Sequence, residues 1–165
     1  YLSSTDLTDM ATFIGSELSH SVDWAYLDAV RREWEGPILL KGVMDPDEAR
    51  RAADAGLDGV VVSNHGGRQF DGAPGSIEVL PSIVEALDGR GKVVLDSGVR
   101  TGLDIARALA LGADFVLLGR AFMFGVAALG TRGGDHVFSI LDADLRCNMI
   151  QMGVSRLEQL AERLA

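Results

Sequence analysis

The chain has 165 residues, 47% hydrophobic and 24% charged, enough for one globular domain with a sizeable core and ordinary for a soluble protein. Its net charge of −9 repels nucleic acid and anionic membrane, so no nucleic-acid partner is expected and an anionic ligand must be met by a local cluster of cations. The single cysteine, Cys147, excludes an internal disulfide and fits a reducing, cytoplasmic setting; no Cys/His spacing resembles a metal site, and no apolar run approaches the roughly 18 residues of a membrane span.

The chain starts at Tyr1 without an initiator Met or a signal sequence, which points to a fragment or a processed product. Residues 1–21 are rich in Ser, Thr and Asp and read as a loop or a short amphipathic helix. From Val22 a helix is expected, because Trp24, Leu27, Val30 and Trp34 recur at helical steps; Gly36-Pro37 ends it. Pro37 to Gly42 is a strand that finishes in a cation, Lys41. A helix follows with Asp45 as N-cap, Pro46 at the first helical position and acids in the first turn, and Gly56 closes it as a left-handed cap. Gly59 to Val62 is a second strand, and Ser76 caps a helix running to Leu87. Lys92 to Asp96 is the third strand. Thr101-Gly102-Leu103-Asp104 is a capping box for a helix ended by Gly112, and Phe115 to Leu118 is the fourth strand. Two helices, Ala121 to Leu129 and about Gly134 to Met152, and a final turn opened by the capping box Ser155-Arg156-Leu157-Glu158 complete the chain. The Met and Trp positions read as core, and His20 and His136 as solvated surface.

Ala55-Gly56-Leu57-Asp58-Gly59-Val60 is echoed by Leu111-Gly112-Ala113-Asp114-Phe115-Val116 at an offset of 56. Two βαβα units in tandem explain the repeat, and they imply a parallel α/β sheet with helices outside. Four strands do not close a (β/α)8 barrel, which needs about 250 residues, so residues 22–165 read as half of one. An open doubly wound sheet competes, but it does not demand functional residues at every strand end. All four ends carry them here: Lys41, the Ser63–Arg68 stretch, the Asp96–Arg100 stretch, and Gly119-Arg120.

Each end has a chemistry. Lys41 is either a snorkelling surface lysine or a fixed positive charge facing a developing anion. His65, flanked by Asn64 and Gly66-Gly67, is a candidate general base, with Asp71 or a carboxylate from outside the chain to orient its ring. Arg68 can clamp a carboxylate by two parallel hydrogen bonds. Asp96, Ser97, Gly98, Val99 and Arg100, with Gly119 and Arg120, read as two halves of an anion site, because strand-end glycines let backbone N–H groups face a phosphate that arginines neutralise.

Leu39-Leu40-Lys41-Gly42, Val62-Ser63-Asn64-His65-Gly66-Gly67-Arg68-Gln69, Leu95-Asp96-Ser97-Gly98-Val99-Arg100-Thr101-Gly102 and Leu117-Leu118-Gly119-Arg120 resemble, in order and spacing, the FMN-dependent 2-hydroxy acid dehydrogenases and oxidases. That family includes lactate dehydrogenases, glycolate oxidases and mandelate dehydrogenases. The resemblance runs from about Val22 to the end and implies strands five to eight, the C-terminal half, of a TIM (β/α)8 barrel. It implies FMN as cofactor and an L-2-hydroxy acid, with L-lactate the best guess, as substrate oxidised to the 2-oxo acid. His65 is then the catalytic base and, with Arg68, a substrate-binding residue. Lys41 and Ser63 lie by the flavin ring, and Asp96, Ser97, Gly98, Val99, Arg100, Gly119 and Arg120 hold its ribityl phosphate end.

The resemblance also implies what is missing. The first four strands would carry the family's flavin-contacting tyrosine and glutamine and the aspartate that partners the histidine, so a companion chain supplying the N-terminal half barrel is expected. The complete barrel is expected to be a homo-oligomer, a tetramer, in the cytoplasm, with attachment to the inner face of the membrane left open. Phe70 stands where the family more often has Leu, and Ser97 replaces a common Gly. Another FMN or nucleotide-phosphate barrel, or a non-catalytic half barrel that binds a phosphorylated ligand, are the competing functions.

Overall fold

The computed structural model describes residues 22–163 together with Thr8, Asp9, Thr12 and Phe13; most of the 1–21 segment, including His20, lies outside the described residues. The chain divides into two units, Tyr1–Gly36 and Pro37–Ala165. In the first unit, helix α1 (Trp24–Glu33) is capped by Asp23, whose side chain accepts from the Tyr26 N–H at 2.8 Å. No residue of α1 is buried. Trp34 is extended and 56% exposed rather than core, and Arg31 donates to the carbonyls of Trp34 and Gly36, closing the helix before Pro37. The methionines divide: Met123 is 63% exposed, whereas Met149 and Met152 pack, partly buried, against the core cluster of Ala106, Val154 and Leu160.

The second unit is a parallel sheet of four strands, β1 (Leu39–Val43), β2 (Gly59–Val62), β3 (Lys92–Leu95) and β4 (Phe115–Val116), in the order β1-β2-β3-β4. Every neighbouring pair is parallel, and the order never reverses. A doubly wound sheet has a reversal where its ligand crevice forms; a barrel arc has none, so the monotonic order favours the barrel. β4 is half as long as expected. Among the described residues it pairs with β3 alone, and past Val116 the pairing survives as a bond from the Leu117 N–H to the Leu95 carbonyl.

Helices α2 (Pro46–Asp54), α3 (Ser76–Leu87) and α4 (Gly102–Ala110) fill the crossovers, followed by α5 (Arg120–Leu129), α6 (Gly133–Gln151) and a closing 3-10 segment (Leu157–Arg163). Asp45 and Pro46 begin α2 as expected, and the Thr101/Asp104 capping box begins α4. Two caps differ. Gly75 is the N-cap of α3, and Ser76, one place inside, sends its hydroxyl to the carbonyls of Asp96 and Ser97 instead. Gln159, not Glu158, accepts from the N–H groups of Ser155 and Arg156.

The 56-residue repeat has a concrete use. Gly56 and Gly112 both turn with positive φ, and two residues later Asp58 and Asp114 tie each new strand to its neighbour. The Asp58 carboxylate accepts from the Ile38 N–H and its own N–H donates to the Ile38 carbonyl; Asp114 does the same with Val93. The core lies on the helix side, where Val60, Val62, Leu80, Ile83, Leu87 and Leu95 are fully buried. No helix among the described residues is long and apolar enough to cross a membrane.

Candidate active site

At the C-terminal ends of the four strands lies a cavity of about 360 Å³. Lys41, His65, Arg68, Asp96, Ser97, Gly98, Val99, Arg100, Gly119 and Arg120 all line it, so ten of the eleven candidates drawn from four separate stretches of sequence come together. The eleventh, Ser63, does not reach the cavity. It is 1% exposed, and its hydroxyl is spent inside the protein: it accepts from Lys41 Nζ at 3.0 Å and from the His65 N–H at 3.1 Å, and donates to Asp96 Oδ1.

Lys41 on β1 and Asp96 after β3 are separated by β2, yet Lys41 Nζ stands 3.0 Å from Asp96 Oδ2, directly over Ser63. Ser97 adds a second hydroxyl bond to Asp96 Oδ1 at 2.6 Å. Burial disfavours the charged form of Asp96, but the hydrogen bonds from Ser63, Ser97 and Lys41, with the charge of Lys41, outweigh it and hold the carboxyl below the ordinary aspartate value. Lys41 is therefore no loose surface lysine. Asp96, a carboxylate that accepts from Lys41, Ser63 and Ser97, has no side-chain proton to offer a phosphate; what it does in the structure is hold Lys41.

His65 leaves β2 in the left-handed region, φ +55, and Gly66 and Gly67 continue there at +69 and +74. Three consecutive left-handed residues explain why two glycines follow the histidine. Gly42 on β1 leaves room for the ring: a Cβ there would lie 3.0 Å from His65 Cε1. Asp71 makes no hydrogen bond to the imidazole; it sits instead beside Gly67. Asn64, which motif reading treated only as a flank, fastens the loop by accepting from the Gly66 N–H at 2.9 Å and donating to the Pro74 carbonyl at 3.0 Å.

The two candidate phosphate loops are not equivalent. The N–H groups of Arg100 and Thr101 are taken by the Asp104 carboxylate and that of Gly102 by Asp144 of α6, so α4 presents a helix start already neutralised. Helix α5 begins at Arg120 with Gly119 as N-cap and no side-chain cap. The positions where Gly98 and Gly119 would carry a Cβ face open space. Arg68 and Arg100 are exposed at the rim, and the Arg120 guanidinium lies over Gly66, its Nη2 3.2 Å from where a Cβ would stand. None of these three arginines forms an ion pair among the described residues, in a chain of net charge −9. Leu117, Leu118 and Met123 line the cavity as well; Met123, one turn into α5, carried no motif by which sequence reading could find it.

An arc of parallel strands with an arginine-rimmed cavity and an uncapped helix start at its strand ends is a half barrel whose open end can receive an anion. The chain belongs to the FMN-dependent dehydrogenase family, whose model matches residues 2–165. It is 47% identical over 157 residues to an L-lactate dehydrogenase of Caulobacter sp. (strain K31), covering 95% of this chain and 41% of that protein. It is 43% identical over 160 residues to an L-lactate dehydrogenase of Alcaligenes faecalis, covering 97% of this chain and 42% of that protein. A crystal structure of mandelate oxidase superposes with a TM-score of 0.87 at 39% identity, over 94% of this chain and 45% of that one. The chain thus spans about two fifths of the length of these curated relatives, and its fold is the C-terminal half of a TIM barrel. The residues present fit the family's cofactor: open space over Gly98 and Gly119, an α5 start without a side-chain cap, and arginines with no ion pair among the described residues suit the phosphate of FMN.

Proposed function

We propose that this chain forms the proton-transfer and phosphate-binding side of a flavin enzyme that oxidises a small L-2-hydroxy acid, L-lactate first among candidates, to the 2-oxo acid. The observation that carries the reading is that His65 and Arg68 share one cavity with Arg100, Gly119 and Arg120, so a carboxylate substrate and a phosphorylated cofactor can be held side by side. The match to lactate dehydrogenases and mandelate oxidase supports the substrate class.

In this reading the α5 amides, Arg100 and Arg120 hold the FMN phosphate, and Lys41, pinned by Asp96 and Ser63, keeps a positive charge beside the ring. FMN, when bound, supplies the two-electron acceptor. Arg68 receives the substrate carboxylate in its guanidinium fork. The His65 imidazole nitrogen takes up the proton that leaves the substrate, and the left-handed turn holds the ring at the cavity. The first four strands and an acidic partner for His65 come from an N-terminal half barrel, as a companion chain or a preceding segment, and complete barrels associate as homo-oligomers. The site operates on the cytoplasmic side, free or at the inner membrane face.

The test is anaerobic mixing of the FMN-loaded complete protein with L-lactate, L-mandelate and glycolate while the flavin absorbance is followed. Bleaching by a 2-hydroxy acid is expected, and His65→Asn should slow it by roughly 10²–10⁴-fold with FMN still bound. Asn is the chosen replacement because it tolerates left-handed backbone. Tight FMN binding with no bleaching by any hydroxy acid would instead identify a phosphate-binding half barrel without this chemistry.

A further inference from the structure

Ser97 stands at φ +75, one of three described non-glycine residues with positive φ, and another of them is His65. A side chain rarely stays in that region unless its surroundings hold it there. Its hydroxyl explains what holds it: Ser97 Oγ donates to Asp96 Oδ1 at 2.6 Å and accepts from the Gly66 N–H at 3.0 Å. The Ser97 carbonyl is in turn fixed by Ser76 Oγ at 3.0 Å. Ser63 makes the parallel link, donating to the same Asp96 oxygen and accepting from the His65 N–H. The backbone amides of His65 and Gly66, the two residues at the sharpest part of the turn, are thus both anchored through a hydroxyl to one carboxylate.

We propose that Ser97, with Ser63, is a positioning residue for His65: the two hydroxyls relay the Lys41–Asp96 ion pair to the left-handed turn that aims the imidazole. Each hydroxyl has one proton, and both protons point at Asp96, so both oxygens are left to accept from the turn. The carboxylate therefore sets the direction of the whole relay. A glycine at 97 keeps the positive φ but loses the Gly66 anchor, leaving Asn64 as the remaining side-chain acceptor of that amide. The relay rests on the proposed role of His65 only for its functional consequence; the anchoring itself is a property of the backbone.

The decisive measurement is residue-resolved amide hydrogen exchange in the complete FMN-loaded protein, comparing wild type with Ser97→Gly and Ser97→Ala. Loss of one hydrogen bond to this amide should speed Gly66 exchange by about tenfold, with the β2 and β3 amides unchanged. The same variants should lower the maximal rate of flavin reduction by about tenfold while the KM for the hydroxy acid, set by Arg68, moves less. Unchanged Gly66 exchange overturns the proposal, as does a uniform rise across the sheet, which would make Ser97 a general stability residue. Loss of FMN with Gly66 protection intact overturns it too, assigning Ser97 to cofactor binding alone. If no hydroxy acid reduces the flavin, the proposed activity fails while the exchange result still decides the relay. Ser97→Gly, which needs no restraint to adopt positive φ, carries the test if the alanine variant does not fold.

Discussion

Asp96→Asn offers the sharpest test of the network beneath the cavity. The substitution keeps the shape and one carbonyl oxygen, which can still accept from Ser63 and Ser97, but it removes the charge and turns Oδ2, the atom 3.0 Å from Lys41 Nζ, into a donor facing an ammonium. A hydrogen bond to a charged group contributes about 1.5–3 kcal/mol. The ion pair adds no more than about 1 kcal/mol, because Lys41 is 44% exposed and partly screened by solvent. Since the three contacts share one carboxylate and are not additive, the expected loss at pH 7 is about 2–3 kcal/mol. The sign with pH follows from the depressed carboxyl. The stabilisation is complete above the unfolded-chain value of about 3.9 and disappears as pH falls through the lower folded-state value. Urea unfolding of both proteins between pH 7 and pH 3 measures it: the gap between them should be constant down to about pH 5 and shrink towards the acid end. A gap that stays constant to pH 3, or is absent at pH 7, would refute the assignment of Asp96 as the charged hub.

Three further substitutions probe separate parts of the molecule. Arg68→Lys replaces a fork with a point charge and should raise the KM for the hydroxy acid about tenfold or more with a smaller change in kcat; steady-state kinetics showing an unchanged KM would remove Arg68 from carboxylate binding. Gly102→Ala drives a Cβ into the backbone of Leu145 and Asp144, where α4 starts against α6, and should destabilise by about 3 kcal/mol or more in urea unfolding, since backbone cannot yield as a side chain can. Asp88 ends α3 in the left-handed region at φ +47 with Gly89 beside it, so Asp88→Gly should be neutral to about 1 kcal/mol stabilising in the same assay.

What could be read from the sequence was whatever is local or periodic. Asp45-Pro46 and Thr101/Asp104 announce helix starts through contacts two to four residues away, and Gly56 and Gly112 announce helix ends through backbone conformation alone. The strand-end motifs were legible because parallel crossovers bring every C-terminal strand end to one side, whatever the loops do. Long-range events were not legible. Ser63 has the same neighbours in sequence whether it faces a cofactor or Lys41 and Asp96, and only the register of three strands decides for burial. The start of α4 looked like an open anion site because Asp144, which occupies it, lies on α6, two helices later. Trp34 fitted a helical stripe, but α1 buries no residue and the helix stops one residue before it.

The alternation along the strands ties the site to the rest of the barrel. Leu39, Val61, Val94, Phe115 and Leu117 line one apolar cavity of about 450 Å³ on the sheet face away from the buried core. Two residues further along three of the same strands come Lys41, Ser63 and Asp96, which the period of two places on that same face, nearer the C-terminal end of each strand. The inner surface is therefore apolar below and ionic above. Phe115 at 61% and Leu39 at 45% exposure are too apolar to end facing water, while the layer above them already satisfies its own polar groups. A companion half barrel would gain its packing energy from the lower layer and need only complete the chemistry at the upper one. With a second half barrel packed there as proposed, the two roles separate along a single strand: substitutions at Phe115 should weaken the joining of the halves, and substitutions at Lys41, Ser63 or Asp96 should leave the halves joined and disturb the cavity at their mouth.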